Sequence, residues 1–282
     1  MTKKKKFFNK RKLSKTLFFI GYCLVAAIMV FPILWALSMS LSTPDKAYVT
    51  PPKFFVPPLK FSNYLTVLQK YEFIKYLGNT LFLCVVEMIV VLFATCTISF
   101  GFAKYDTKGI SKVFFIGLCT MFIPSAGSGV LVYIAWSKLG AVDTYLPMII
   151  PPLFGSIGWI FLVRQTFKSI SNSFFEAAYI DGANPFYILW GIYVPLAKPV
   201  LANLMLRTFM GAWNNLMGPL IYINTKSKYT LSLALAQMRG ETGSRVDLQM
   251  AGTMLSIIPI VLVYFVAQKF FVKGDLDAGV KE

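Results

Sequence analysis

Six apolar runs dominate this chain, at about 17–41, 73–100, 113–136, 146–163, 200–223 and 251–272. A hydrocarbon core about 30 Å thick takes roughly 20 apolar residues per helix, and every backbone polar group inside it must bond within its own segment. Runs of this length and number predict an all-α polytopic membrane protein with six transmembrane helices. The composition agrees, with 56% hydrophobic and only 14% charged residues in 282. The first run is too long for a removed signal peptide, and the residues at 40–43 show no cleavage pattern. The expected organisation is a basic tail over 1–16, a six-helix domain over 17–272 with one large polar loop at about 171–198, and a second tail over 273–282.

An even number of spans puts both termini on one side, and basic residues in short loops mark that side as cytoplasmic. The N-terminal tail carries Lys3, Lys4, Lys5, Lys6, Lys10, Arg11, Lys12 and Lys15, and the loop after the second run adds Lys104, Lys108 and Lys112. The external segments also hold lysines, so the margin comes mostly from the tail. A formal charge of +16 would suggest nucleic acid in a soluble domain. Here the lysines sit at span ends, where anionic membrane lipid accounts for them, and no nucleic-acid partner is expected.

The polar loop has a legible local structure. Ser173 followed by Glu176 forms a capping box, which starts a short helix near Phe174. Gly182 should close that helix in the left-handed conformation, and Asn184 with Pro185 supplies the N-cap and first turn of a second helix. Pro195 and Pro199 each lack an N–H and should interrupt that second helix, giving a rigid elbow. Ala177, Ala178 and Gly182 leave part of the first helix without bulk, which suits close approach by a soluble partner.

Several chemistries are excluded by absence. The chain has no histidine, so neither a His general base nor a His-ligated metal can be built. It has no G-x-x-x-x-G-K-[ST] loop, so the usual cradle for ATP is missing. Cys23, Cys84, Cys96 and Cys119 all lie within predicted spans without a C-x-x-C pair, and read as small buried residues.

Polar residues inside spans tend to face a bundle interior or a cavity. Glu87 lies mid-span in the second run, either lining a passage or as a protonated structural carboxyl. Arg207 lies early in the fifth, lining the passage or snorkelling to the interface. Trp213, Asn214 and Asn215 combine an aromatic face with two amides, a set that stacks on a sugar ring and bonds its hydroxyls, or else packs between helices. Pro124, Ser125, Ala126, Gly127, Ser128 and Gly129 interrupt the third run as a candidate bend or gate. Outside the spans, 43–72 is stiffened by Pro44, Pro51, Pro52, Pro57 and Pro58, with Phe54, Phe55 and Phe61 as interfacial anchors. The segment 224–249 contains Arg239, Gly240, Glu241, Thr242, Gly243, Ser244 and Arg245, a glycine-broken polar loop.

The elbow residues resemble a known signature. E-A-A, three residues, G, nine residues, I-x-x-P is the cytoplasmic loop motif of permease subunits of ATP-binding-cassette importers. It is met here by Glu176, Ala177, Ala178, Gly182, Ile192 and Pro195, with Val194 where the family usually has Leu. The resemblance implies that Glu176, Ala177, Ala178, Asp181, Gly182, Ala183 and Pro195 contact an ATPase. The C-terminal end, Gln268 to Gly274 and then Ala278 to Lys281, resembles carbohydrate permeases of the maltose G-subunit type. That likeness implies that Gly274, Gly279 and Lys281 enter the ATPase interface, and that the loop Arg239 to Arg245 reaches into a solute-binding protein. The partners it implies are a second, related permease subunit in a heterodimer, two ATPase subunits that bind ATP and Mg, and an extracytoplasmic solute-binding protein. The chain itself would need no cofactor and catalyse no reaction. The other reading is an ion-gradient-driven secondary transporter, which calls for paired intramembrane carboxylates that only Glu87 begins to supply. A purely structural or regulatory membrane protein would leave the polar loops without a role.

Overall fold

The computed structural model describes the backbone of residues 2–46, 54–105, 108–123, 129–241 and 245–279, and within these the side chains of 15–45, 54–105, 108–123, 129–238 and 245–268. All regular structure among them is helical, as the apolar runs predict. Three helices are long and apolar enough to cross a membrane: Lys15–Ser40, Phe73–Lys104 and Val246–Gln268. The count rises to five if two bent pairs each form one span. The proposed bend over 124–128 lies outside the described residues.

Packing divides the chain into two units, 1–73 with 237–257 and 74–236 with 258–282. In the first, α1 (Thr2–Ser40) ends in a knot of buried polar groups. Asn63, on α2 (Ser62–Lys70), donates through Nδ2 to the carbonyls of Ser40 and Ser42 at 2.9 and 3.0 Å. Ser38 Oγ accepts from the Phe55 amide at 2.7 Å. Each buried donor and acceptor named here has a partner, so the desolvation cost of burying serine and asparagine is offset. Phe54 packs edge-on against Trp35 and Phe31, with centroids 4.9 and 5.7 Å away. It therefore leans on its own chain as well as facing outward. Arg245 forks onto Asp247 at 2.9 and 2.8 Å, and the Asp247 carboxylate is fully buried.

The second unit is organised along α3 (Phe73–Lys104). Near one end Leu83 packs with Met148, Ile223 and Leu233. Near the other, Cys96 and Phe100 pack with Val163, Phe167, Ile188, Tyr193 and Leu204. Leu83 and Phe100 are separated by about 25 Å of helix, at about 1.5 Å per residue. The middle runs are broken helices. The third is α4 (Ile110–Cys119), a tight turn at Thr120–Phe122, and α5 (Gly129–Lys138). The fourth is α6 (Leu146–Ile149), a turn at Pro151–Phe154, and α7 (Ile157–Ser169), bent by 41°. Gly155 makes that bend, with φ 74° and only 2.7 Å between a would-be Cβ and Ile160 Cδ1. Beyond it lie α8 (Asn172–Ile180), α9 (Pro185–Tyr187) and α10 (Val194–Leu196). The fifth run is α11 (Lys198–Trp213) and α12 (Met217–Tyr222), and the chain ends with α13 (Leu231–Glu241) and α14 (Val246–Gly279).

Candidate functional site

The elbow forms, with one change in its opening. The capping box does not: Ser171, in extended backbone, takes the N-cap and accepts from the Ser173 amide at 3.3 Å. The helix therefore starts at Asn172, and Ser173 falls inside the first turn, its hydroxyl 2.8 Å from that of Ser171. Of two serines two residues apart, the earlier one sits where the chain is still extended and so faces the free amides. The far end matches expectation. Gly182 lies at φ 78°, its amide bonds to Tyr179 O at 3.1 Å, and the Ala183 amide bonds to Ala178 O at 2.9 Å. This paired closure is the Schellman motif. Asn184 Oδ1 then accepts from the Tyr187 amide at 2.7 Å, with Pro185 at the first helical position.

The second helix widens into a π turn over Ile188–Tyr193 and stops at Ala197, where the axis turns by 87° into α11. Pro195 does not interrupt the second helix as expected but is carried within it, two residues before the break, and Pro199 lies in the first turn of α11, where a missing amide leaves no bond unmade. The widened turn itself had no sequence signal. It buries Ile188, Leu189 and Tyr193 against the span ends. The Tyr193 ring meets Phe100 and Phe167 edge-on at 5.2 and 5.6 Å. Lys104 Nζ lies 4.8 Å from the centre of the same ring and donates to Asn172 Oδ1 at 2.9 Å. Nearby, Arg164 donates from Nε to Phe102 O at 3.0 Å and covers the Phe114 ring at 4.4 Å. The elbow is thus locked to α3, α7 and α11 on its inner side.

Its outer side is open. Glu176, Ala177, Asp181, Gly182 and Pro195 are exposed, while Ala178 and Ala183 are half-buried. Between them stand apolar side chains that the sequence reading passed over: Phe174, Tyr179, Ile180, Phe186 and Tyr187, with Ile180 83% exposed. Helical spacing alone could not separate these from core positions. These five large apolar side chains are exposed on a segment that is otherwise polar.

The remaining candidate residues separate by location. Trp213 is buried, stacked on Phe209 at 5.5 Å, and its carbonyl accepts from Ser232 Oγ at 2.8 Å. Asn214 is exposed and donates to Met210 O at 2.8 Å. Asn215 turns inward, accepting from the Gly218 amide at 3.0 Å. Glu87 is half-buried on α3, and Arg207 is exposed on α11. An apolar groove of about 650 Å³ lies between α3, α11 and α14, lined by residues such as Val85, Met88, Ala202, Met205 and Val263. Thr242, Gly243, Ser244 and Lys281 lie outside the described residues. Of Arg239, Gly240, Glu241, Gly274 and Gly279 only the helical backbone is described. Among the described residues, no group of three His, Cys, Asp or Glu is placed to hold a metal ion.

The sequence reading also missed a polar clamp at the end of the second unit remote from the elbow. Asp143, at φ 60°, accepts from the amides of Asn224 and Thr225 at 3.0 and 2.8 Å. Its other oxygen accepts from Thr225 Oγ1 at 2.7 Å and Lys228 Nζ at 2.8 Å. These bonds, that from Lys228 foremost, hold the carboxyl well below the usual carboxylate range. Asn79 joins the same end, donating to the carbonyls of Ser227 and Tyr229 at 3.0 and 2.9 Å.

A family model for the binding-protein-dependent transport system inner membrane component matches residues 7–274. The chain is similar to the arabinooligosaccharides transport system permease protein AraQ of Bacillus subtilis (strain 168), 26% identical over 277 residues and covering 97% of each chain. It is also similar to a chain in the crystal structure of a bacterial ABC transporter involved in the import of the acidic polysaccharide alginate. That match has a TM-score of 0.80 and 27% identity, covering 93% of this chain and 98% of that one. A chain in a bacterial alginate ABC transporter, in complex with an alginate pentasaccharide-bound periplasmic protein, shares the fold at TM-score 0.60 and 17% identity over 91% and 94% of the two chains. With its long apolar helices and a family match over nearly its whole length, this chain belongs to the inner membrane components of binding-protein-dependent transport systems.

Proposed function

We propose that this chain is one permease subunit of an ATP-driven importer for sugars or oligosaccharides, crossing the membrane six times with both termini cytoplasmic. It pairs with a second, related permease subunit to enclose the pathway. Two ATPase subunits, which hold ATP and Mg, dock on the elbow, and an extracytoplasmic solute-binding protein delivers the sugar. Similarity to the arabinooligosaccharide permease AraQ and to the alginate importer supports a saccharide as cargo. The observation that carries the reading is the two-sided elbow: Phe174, Tyr179 and Ile180 stand exposed on one side, while Tyr193 is fully buried against Phe100 and Phe167 on the other. Such an element is rigidly joined to the spans and bare where a partner must push.

In this mechanism closure of the ATPases moves the elbow, and Tyr193, Phe100 and Phe167 carry the displacement into α3, α7 and α11. The spans then change between inward-open and outward-open states, a two-state element biased from both ends. Gly274, Gly279 and Lys281 of the tail enter the ATPase interface, and the loop from Arg239 through Thr242 and Ser244 to Arg245 meets the binding protein. Reconstitution with the co-purifying partners tests the reading. Loaded binding protein should stimulate ATP hydrolysis, and Gly182→Trp should abolish uptake while the chain still inserts in the membrane. ATP-independent uptake by this chain alone would overturn the proposal in favour of a secondary transporter.

A further inference from the structure

The outward face of α11 has a chemistry that the rest of the fold does not use. Leu201, Leu204, Phe209 and Trp213 form its buried side. On the opposite side Asn203, Arg207, Gly211 and Asn214 are exposed. Their spacings of four, four and three residues stack them in one stripe, since side chains three and four apart share a helix face. The stripe extends over about 16 Å, at about 1.5 Å per residue. Arg207 stands about 14 Å along the helix from Lys198, by the same rise, which is further than its side chain reaches. It has no hydrogen bond or ion pair among the described residues. Asn214 uses its Nδ2 on Met210 O, and its Oδ1 has no hydrogen bond among the described residues. Beyond its own helix backbone and chain neighbours, no described atom lies within 4 Å of where a Cβ on Gly211 would stand, so the stripe is open at its middle.

A guanidinium facing hydrocarbon is costly, and polar side chains within a span turn toward water or toward a polar solute. Leu201 and Leu204 of α11 pack against α3 and α7, and Ala202 and Met205 line the apolar groove shared with α3 and α14, so the polar stripe faces away from both. An arginine is a planar fork that pairs with a carboxylate through two parallel bonds, and flanking amides suit sugar hydroxyls.

Resting on the importer reading above, we propose that Asn203, Arg207 and Asn214 form a rail along the translocation pathway, and that Arg207 selects for a carboxylate-bearing saccharide. The neutral amides hold the hydroxyls while the guanidinium holds the charge, so an acidic oligosaccharide is passed along in preference to a neutral one.

The test uses the reconstituted complex with Cys23 and Cys119, the exposed thiols, replaced by serine. Single cysteines at Asn203 and Asn214 are treated with anionic and cationic methanethiosulfonate reagents of similar size. Both should react, the anionic one about tenfold faster, because a fixed charge in a cleft concentrates counter-ions. Arg207→Gln should remove that preference and Arg207→Lys should restore most of it. Protection of both cysteines from both reagents, or a preference that survives Arg207→Gln, would overturn the rail. Uptake is measured in parallel for a trigalacturonate, a sugar phosphate and a neutral trisaccharide. Arg207→Gln should lower the ratio of uronate to neutral uptake about tenfold. An unchanged ratio, or a selective loss for the phosphate alone, would overturn the carboxylate assignment. Absence of ATP-driven uptake for all three would defeat the importer reading itself, while the labelling ratios would still judge the rail.

Discussion

Gly182 sits at φ 78°, and beyond its chain neighbours no described atom lies within 4 Å of where a Cβ would stand, so replacing it is a matter of backbone conformation before it is one of space. An L-residue held there costs about 1–2 kcal/mol. Gly182→Ala should therefore reduce ATP-driven uptake in part, and Gly182→Asn, which tolerates the left-handed region, should reduce it less. Equal transport by both variants and the parent would mean that this closure is not what sets the elbow. Asp143 works in the opposite electrical sense. Its folded carboxyl is held below the ordinary value by Lys228, Thr225 and the loop amides, so its contribution is fully present above that value and is lost as pH falls through the range below it. The melting temperature of the purified chain should show no Asp143-dependent change between about pH 5 and 8, and should fall below about pH 4, the usual carboxylate pKa. Asp143→Asn should lower the plateau and remove that component of the acid limb. A variant as stable as the parent at neutral pH would deny the clamp any role.

The π turn over Ile188–Tyr193 gathers the strongest packing near the elbow, and Tyr193 is its centre. The ring is fully buried, yet its hydroxyl has no hydrogen-bond partner among the described residues. Tyr193→Phe should accordingly be neutral or slightly stabilising, since it removes a buried polar atom with no such partner. Tyr193→Ala should cost about 3–5 kcal/mol, as large aromatic truncations do. Denaturation in detergent, read by tryptophan fluorescence, would separate the two. Matching losses in both variants would point to an unseen partner for the hydroxyl. This element also shows where sequence reading stops. Gly182, Asn184 and Pro185 were legible because each acts through its own backbone. The π turn, the cation over the Tyr193 ring and the Asp143 clamp were not, because Lys104, Thr225 and Lys228 lie 89, 82 and 85 residues from the groups they bind. Likewise, the long runs gave α1, α3 and α14, but not the breaks at Pro151–Phe154 and at 214–216, where turns interrupt apolar sequence that hydropathy reads as continuous.

At the scale of the molecule, α3 sets two ends apart. Asn79 and Thr80 bond near one end to Ser227, Tyr229 and Leu231, and Lys104 bonds at the other to Asn172 on the elbow. Thr80 and Lys104 are about 36 Å apart along the helix, at about 1.5 Å per residue, which exceeds a hydrocarbon core of about 30 Å. The clamp around Asp143 and the elbow should therefore open to opposite sides of the membrane, whichever side is which. On the orientation proposed above from the basic tail and Lys108, the elbow should lie in the cytoplasm and the clamp outside. With Cys23 and Cys119 replaced by serine, cysteines at Lys226 and Ser173 test this directly, as both positions are exposed. A membrane-impermeant maleimide should label the cysteine at 226 in intact cells, and label that at 173 only after the membrane is permeabilised. Labelling of both from outside would break the six-span topology. The reverse pattern would preserve the topology and invert it, leaving the elbow on the side where no ATPase could reach it.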